Sequence, residues 1–576
     1  MKKLLFIPAL LLFASCTISR FHEFGYTPGN PGRYPQFTSR DYLKGRLDEY
    51  RAGYDVTFYD LDIYLYPDKY IIGGEVTIYL TAVSKLKEIR FDLHNNLKIS
   101  SLKFEGEAVP FIREERAVTA SLPDSLEMGK SYDLAVVFEG RPVRARNPPW
   151  SGGVVWNKDK SGNPWIGIAC ENEGGSIWFP CKDHISDEPD SVRLRITVPE
   201  GLQVVANGIM ENHTSTPGSE IYTWKTRYPV NIYNITFYAG RFEHFSDTMK
   251  TGEGILSLDY YVLPENLQKA KEHFIQVKDI IKVYSGCYGP YPWRKEVFRL
   301  VEGPFEGMEH QTAIAYGSGF VNLQSMGGDY IIVHEAAHEW WGNAVSVSDF
   351  SDIWLHEGFA TYSEMVFTEK TKGYENSLKW ARLRLAGMIN NKLPVVGPPD
   401  VSFWDSRDND VYNKGAMILH TIRNIVNDSC LFFDIMQTFY REHAAKSPVS
   451  TVDFIEVVER KTGKDWGRFF DAYLYRREVP VLCWSSGTHN NEKYPGKPET
   501  PFIAAKWTNV PDGFTMPVSM NCAESESSVI IEVSTEPALY YMEENKSGNK
   551  WTCNRELSYF KAVKDKNILK EITNGY

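Results

Sequence analysis

Residues 331–343 read IIVHEAAHEWWGN, and how this stretch is read decides the rest of the chain. On a helix, His334 and His338 stand four residues apart, about 40° around the axis and roughly 6 Å along it, so both imidazoles can meet one ion. Glu335 is then placed to reach a water beside that ion rather than the ion itself. The bland alternative is a solvated helix that happens to carry two histidines and a glutamate. Ile331, Ile332, Val333, Ala336, Ala337, Trp340 and Trp341 weigh against it, because a helix apolar nearly all round is a buried one. Burying two imidazoles and a carboxylate without partners is costly, and a metal accounts for all three.

A third ligand is then required. Residues 354–360, WLHEGFA, offer Glu357 on a second helical pattern. His356 is adjacent, but neighbouring residues on a helix point in different directions. A His334/His338/Glu357 set leaves one position open for water, so the expected cofactor is one catalytic zinc ion per chain. Glu364, seven residues after Glu357 and on the same face, is a candidate partner for a ligating imidazole.

Outward from this centre, 576 residues imply several domains. Leu61, Ile63 and Leu65 alternate with polar neighbours, as do Val76, Ile78 and Leu80. This period of two predicts an antiparallel sheet with one wet face, and Gly73-Gly74 between the runs fits a turn. Similar strands recur to about residue 245. The period then changes: Leu267, Ala270, Phe274, Val277, Ile281 and Tyr284 predict an amphipathic helix. Helical patterns follow to about 475, apart from a strand at 297–301. From Pro480 the chain returns to short β-like runs such as 529–533. The expected organisation is a signal peptide at 1–15, a tether or arm at 16–50, an all-β domain at 51–248, an α+β catalytic domain at 249–480 and a small β domain at 481–576.

The formal net charge of −11 carries no Lys/Arg block, and no nucleic-acid partner is expected. Lys2-Lys3, the apolar run 4–13 and then Ala14-Ser15-Cys16 read as a signal peptide ending in a site that resembles a bacterial lipobox. Cys16 is therefore the expected lipidation site, with an ordinary secretion signal as the alternative. Either reading places the mature chain outside the cytoplasm, in a bacterial cell envelope. Seven further cysteines are scattered too widely for a disulfide framework, and pairing of Cys170 with Cys181 is left open.

HExxH, eighteen residues, then Glu resembles the gluzincin aminopeptidases, the family of aminopeptidase N and the leukotriene hydrolase. Here it stands as HEAAH and Glu357 within the flanks HEWWGN and WLHEGFATYSE. The family's Gly-x-Met-Glu-Asn motif is similar to Gly307-Met308-Glu309-His310 after Glu306, with both ends changed. Cys170-Glu171-Asn172 and Val411-Tyr412-Asn413-Lys414-Gly415 resemble two further family segments. The resemblance implies that Glu309 and Glu171 bind the free amine of a peptide, with Gly307 and Met308 lining the same site. It implies that Tyr412 stabilises the oxyanion and that Glu335 is the base. It also implies a thermolysin-like catalytic domain and a small C-terminal β-sandwich, without the large helical domain of longer members. The expected partners are peptides with a free N-terminus and, through Cys16, a membrane. Epoxide hydrolysis at the same metal, endopeptidase activity and a non-catalytic surface binding protein are the competing readings.

Overall fold

The computed structural model describes residues 34, 36–385, 388–402, 410–488, 501–522, 528–542, 551–554, 558–565, 567–568 and 572. Cys16 and the apolar run before it lie outside the described residues. Among the described residues, no helix is long and apolar enough to cross a membrane.

The period-two runs become strands Tyr54–Tyr66 and Ile71–Ala82, paired antiparallel with Leu61 opposite Val76 and Tyr59 opposite Ile78. Tyr59, Leu61, Ile63, Val76, Ile78 and Leu80 are buried, while Asp62, Glu75 and Tyr79 are exposed. Two expectations are corrected here. Gly73-Gly74 is not the turn but lies within the second strand, opposite Tyr64 and Ile63. The turn is made earlier, by Pro67–Lys69 and by Tyr70 at φ 56°. The glycines serve close approach instead, since a Cβ on Gly74 would sit 2.0 Å from the Asp62 carbonyl oxygen. Nor is the sheet purely antiparallel. Ser191–Pro199 runs parallel to Tyr54–Tyr66 within the eight-stranded sheet, and the long connection between them supplies further strands of that sheet, a three-stranded sheet and half of a four-stranded one.

The end of the expected tether is folded. Ser39–Gly45 is a helix with a Thr38/Asp41 capping box, followed by the helical turn Glu49–Ala52. Arg51 ties this strap down. It is wholly buried, forks onto Asp92 through Nε at 3.1 Å and Nη2 at 2.5 Å, and donates to the Leu43 and Arg46 carbonyls. Such a bidentate contact is what the guanidinium geometry favours.

A five-stranded sheet carries the next region, in the order Glu243–Thr251, Gly254–Val262, Phe298–Glu302, Ile314–Tyr316, Gly307–Met308. Its first strand straddles residue 248, so this sheet starts at 243, a few residues before the expected boundary. The expected stripe at 267–284 forms two helices, Leu267–His273 and Val277–Tyr288, with a tighter turn at Phe274–Gln276 between them. Helices Tyr330–His338, Trp354–Lys372 and Asn413–Val426 then pack beneath the sheet in one core with the strands after residue 480. A second core belongs to the N-terminal sheets and takes in Phe305, Met308, Ala313 and Ala315. Met308 is therefore at the seam of the two cores, one residue from Glu309. The C-terminal region holds a four-stranded and a three-stranded sheet. Cys170, Cys181, Cys287, Cys430 and Cys483 are free thiols, so Cys170 and Cys181 do not pair.

Candidate metal and substrate site

The Tyr330–His338 helix begins on Asp329, whose carboxylate accepts the Ile331 amide at 2.9 Å together with Tyr316 Oη and His273 Nε2, both at 2.8 Å. Every residue from Ile331 to His338 is buried. The helix stops after His338 and the chain reverses at Gly342, φ +118°, which turns the Trp341 carbonyl back toward it. His338 Nδ1 donates to that carbonyl at 2.9 Å. His334 Nδ1 lies 2.9 Å from Glu364 Oε1, and Trp380 Nε1 holds the other oxygen of the same carboxylate at 3.0 Å. A carbonyl only accepts, and a carboxylate accepts here, so both rings carry hydrogen on Nδ1, and Nε2 is the atom each neutral ring can offer to an ion.

Those two Nε2 atoms face each other at 3.2 Å, and Glu357 Oε2 lies 3.5 Å from each. That oxygen is buried without a hydrogen-bond partner. With both rings neutral, three electron-pair donors converge on one point, an arrangement that suits a cation among them. The two nitrogens and one carboxylate oxygen suit a zinc-type ion. His356 is not part of the group: its Nε2 accepts the Val347 amide at 3.1 Å.

Around these donors the chain gathers further carboxylates. Glu309, Glu335 and His338 form one cluster with ligand atoms within 4.8 Å of one another, and Glu171, Glu309 and Glu357 form another. Glu309 follows the edge strand Gly307–Met308. Its Oε1 accepts from Tyr233 Oη at 3.1 Å, and its carbonyl accepts from Asn343 Nδ2 at 2.8 Å. Asn234 Nδ2 in turn donates to Asn343 Oδ1 at 2.7 Å. Tyr233, Asn234 and Asn343 are positioning residues that sequence reasoning missed. The only signal was Asn343, at the end of the HEWWGN flank. Gly307 is pressed so close to Glu335 that a Cβ there would meet its Oε1 at 2.5 Å. Tyr412 enters just before helix Asn413–Val426, its ring 6.2 Å from that of His334. The helix can come this close because Gly415 packs on Gly358, next to Glu357, where a Cβ on either would be 3.0 Å from the other's Cα. His310, where the resembled motif has Asn, is buried with Nδ1 2.7 Å from Tyr238 Oη.

The electrostatics follow from this crowding. Burial, then Glu309 and Glu357, push the Glu171 carboxyl well above its usual range. Burial raises Glu335 to about 8, with Glu309 adding to the effect and the histidines opposing it. Burial and then the Glu357 carboxylate likewise hold the Tyr412 hydroxyl in its neutral form. Four carboxylates converge on two imidazoles, a site short of positive charge.

A helix-borne HExxH pair completed by a glutamate from the next long helix, set under a five-stranded sheet, forms a centre fitted to one zinc-type ion. The "Peptidase family M1 domain" matches residues 274–473, the stretch that holds both histidines and Glu357. Probable aminopeptidase 2 of Sulfurisphaera tokodaii is 24% identical over 457 residues, 76% of this chain and 54% of its own. Leukotriene A-4 hydrolase of Xenopus laevis is 22% identical over 408 residues, 66% of this chain and 61% of its own. An M1 zinc metallopeptidase of Deinococcus radiodurans superposes with a TM-score of 0.62 at 24% identity, covering 74% of this chain and 94% of that one, a likeness of fold. The chain spans about half the length of the curated relatives it matches first, 54%, 43% and 61%.

Proposed function

We propose that this chain is a zinc aminopeptidase, with His334, His338 and Glu357 as ligands, Glu335 as base and Tyr412 as oxyanion donor. One observation carries the reading. Glu171 and Glu309 converge with Glu357 within 4.8 Å, so carboxylates in excess of what one ion needs stand beside the ligand set. A substrate ammonium supplies the missing charge, which limits cleavage to the bond after the first residue. Relatives named aminopeptidase, and a Deinococcus M1 zinc metallopeptidase mutant bound to a Tyr-Ser-Ala substrate, support the same class.

Zinc bound there supplies Lewis acidity toward the scissile carbonyl and a water. The residues do the rest. Glu335 takes the proton of the attacking water and delivers it to the leaving amine. Tyr412, held neutral, donates to the oxyanion; oxyanion donors of this kind contribute about 2.7–4 kcal/mol. Glu309, steadied by Tyr233, and Glu171 hold the ammonium. Gly307 lets the edge strand lie against the base, and Met308 packs it into the N-terminal core.

In this reading the catalytic domain is thermolysin-like and the two C-terminal sheets form a sandwich. The same reading takes residues 1–16 as a lipoprotein signal of the bacterial envelope, and Cys16→Ala should then release the chain from the membrane fraction. The decisive experiment for function is a panel of fluorogenic aminoacyl amides with and without chelator, alongside an N-acetylated substrate. Chelator-sensitive cleavage of free-amine substrates alone is expected. Equal cleavage of the acetylated substrate would put the endopeptidase reading ahead.

A further inference from the structure

Beside the amine-binding acids lies a small cavity of about 40 Å³, whose walls include Glu171 and Tyr233 on one side and Lys44 of the strap helix on the other. Asp183, His184, Ile185 and Phe350 are also among its walls. A residue whose ammonium sits against Glu171 and Glu309 has its α-carbon one bond further on, so this cavity is within reach of its side chain.

Lys44 is held in place, unlike a swinging surface lysine. The next residue, Gly45, packs so tightly that a Cβ would lie 2.3 Å from the Ser402 amide nitrogen. Tyr34 Oη donates to the Val396 carbonyl at 3.2 Å, and Arg46 lies 3.8 Å from Asp400. Behind it, Arg51 grips the Leu43 and Arg46 carbonyls. The Lys44 ammonium donates to the Asn172 carbonyl at 2.5 Å, and among the described residues it forms no ion pair. Asp183, the other charged wall, is already engaged. Its oxygens accept the Gly175 and Ser176 amides at 3.1 Å each, with Arg116 at 3.8 Å. Burial, and then Arg116, push Lys44 down to about 8, the behaviour of an ammonium short of counter-charge; Glu173, Asp183 and Asp41 offset this only in part.

We propose that Lys44 is a specificity-determining residue: delivered by the strap, it binds a carboxylate in the pocket for the first side chain and so selects peptides beginning with Asp or Glu. The inference rests on the aminopeptidase reading and names its substrate class. An ammonium–carboxylate contact in a largely dry pocket is a charge-assisted hydrogen bond, of a strength that yields roughly ten- to a hundredfold selectivity.

The test uses the zinc-loaded full chain with Glu, Asp, Ala, Leu and Arg coumarin amides, and titration calorimetry of L-glutamate and L-leucine into the Glu335→Gln variant. Expected are a Glu-to-Leu ratio of kcat/KM of about ten or more, its collapse in Lys44→Met mainly through KM, and its retention in Lys44→Arg. L-glutamate should also bind more tightly than L-leucine, with the difference lost when Lys44→Met is added. Cleavage of all amides without an acidic preference, or a ratio untouched by Lys44→Met, overturns this inference and leaves the aminopeptidase reading standing. Lys44-dependent binding of L-glutamate with no amide cleaved upholds the pocket and overturns the activity instead.

Discussion

At Gly307 one missing carbon sets the position of the base. An alanine there would put its Cβ 2.5 Å from Glu335 Oε1 and 2.7 Å from Ile331 Cγ2. Ile331 is buried in the helix that carries both histidines, so the Glu335 carboxylate, the end of a longer side chain, must give way. Gly307→Ala should therefore destabilise the fold by about 1–3 kcal/mol in urea titrations and displace Glu335, lowering kcat while zinc remains bound. At Glu309 the argument is one of charge. Losing one contact to the substrate ammonium costs ~1.5–3 kcal/mol, about ten- to a hundredfold in kcat/KM. Glu309→Ala should show that loss on free-amine substrates and none on residual cleavage of N-acetylated ones. A uniform loss on both would show that Glu309 is not an amine anchor.

The helix Trp354–Lys372 does two jobs within two turns. Glu357 is one of the three converging donors, and Glu364, two turns on, fixes the Nδ1 hydrogen of His334. Such supporting partners typically contribute 10–100-fold in metal affinity, so Glu364→Ala should weaken zinc binding by about that factor in chelator competition, with the helix intact by circular dichroism. The strap is a second element, and its buried fastening is one ion pair. Arg51 and Asp92 are both fully buried. Arg51→Ala leaves Asp92 charged and unpaired, and should cost about 3–5 kcal/mol in denaturant titrations. If the strap carries Lys44 into the site, the same variant should also lose acidic selectivity.

For the whole molecule, buried carboxyls make stability depend on pH. Glu188 is pushed to about 8, chiefly by burial, with Asp187 adding to it and hydrogen bonds from Ser346 and Asn231 opposing it. One of its oxygens, Oε1, is buried without a partner. A carboxyl whose pKa is raised on folding contributes stability that is fully present below its unfolded value near 4.5, and that is lost as pH rises through about 8. The stability from this group thus falls between pH 5 and pH 8. Glu188→Gln removes the dependence, so the Tm of the variant relative to wild type should be higher at pH 8 than at pH 5. An equal difference at both pH values would show that Glu188 titrates normally in the fold.

The sequence by itself determined what is local. His334 and His338 share a helix face because the helix repeat places them there. The alternation around Leu61 and Val76 is a strand pattern whatever its partner, and the stripe from Leu267 to Tyr284 is helical whatever it packs on. The stripe alone did not show the break at Phe274–Gln276, because a tighter turn keeps nearly the same buried face. Only the tertiary structure decided what depends on approach between distant segments. Gly73-Gly74 reads as a turn until Asp62 is seen against it, and Gly307 reads as a motif end until Glu335 is. Tyr233 and Asn234 carry no pattern of their own, yet they reach the site from the N-terminal sheets. The segment before residue 50 looked like an arm because its composition is poor in apolar periodicity. It is held by one buried arginine, backbone contacts and a lysine at the edge of the site. Such contacts join residues from 41 to 362 positions apart, and no period in the chain records them.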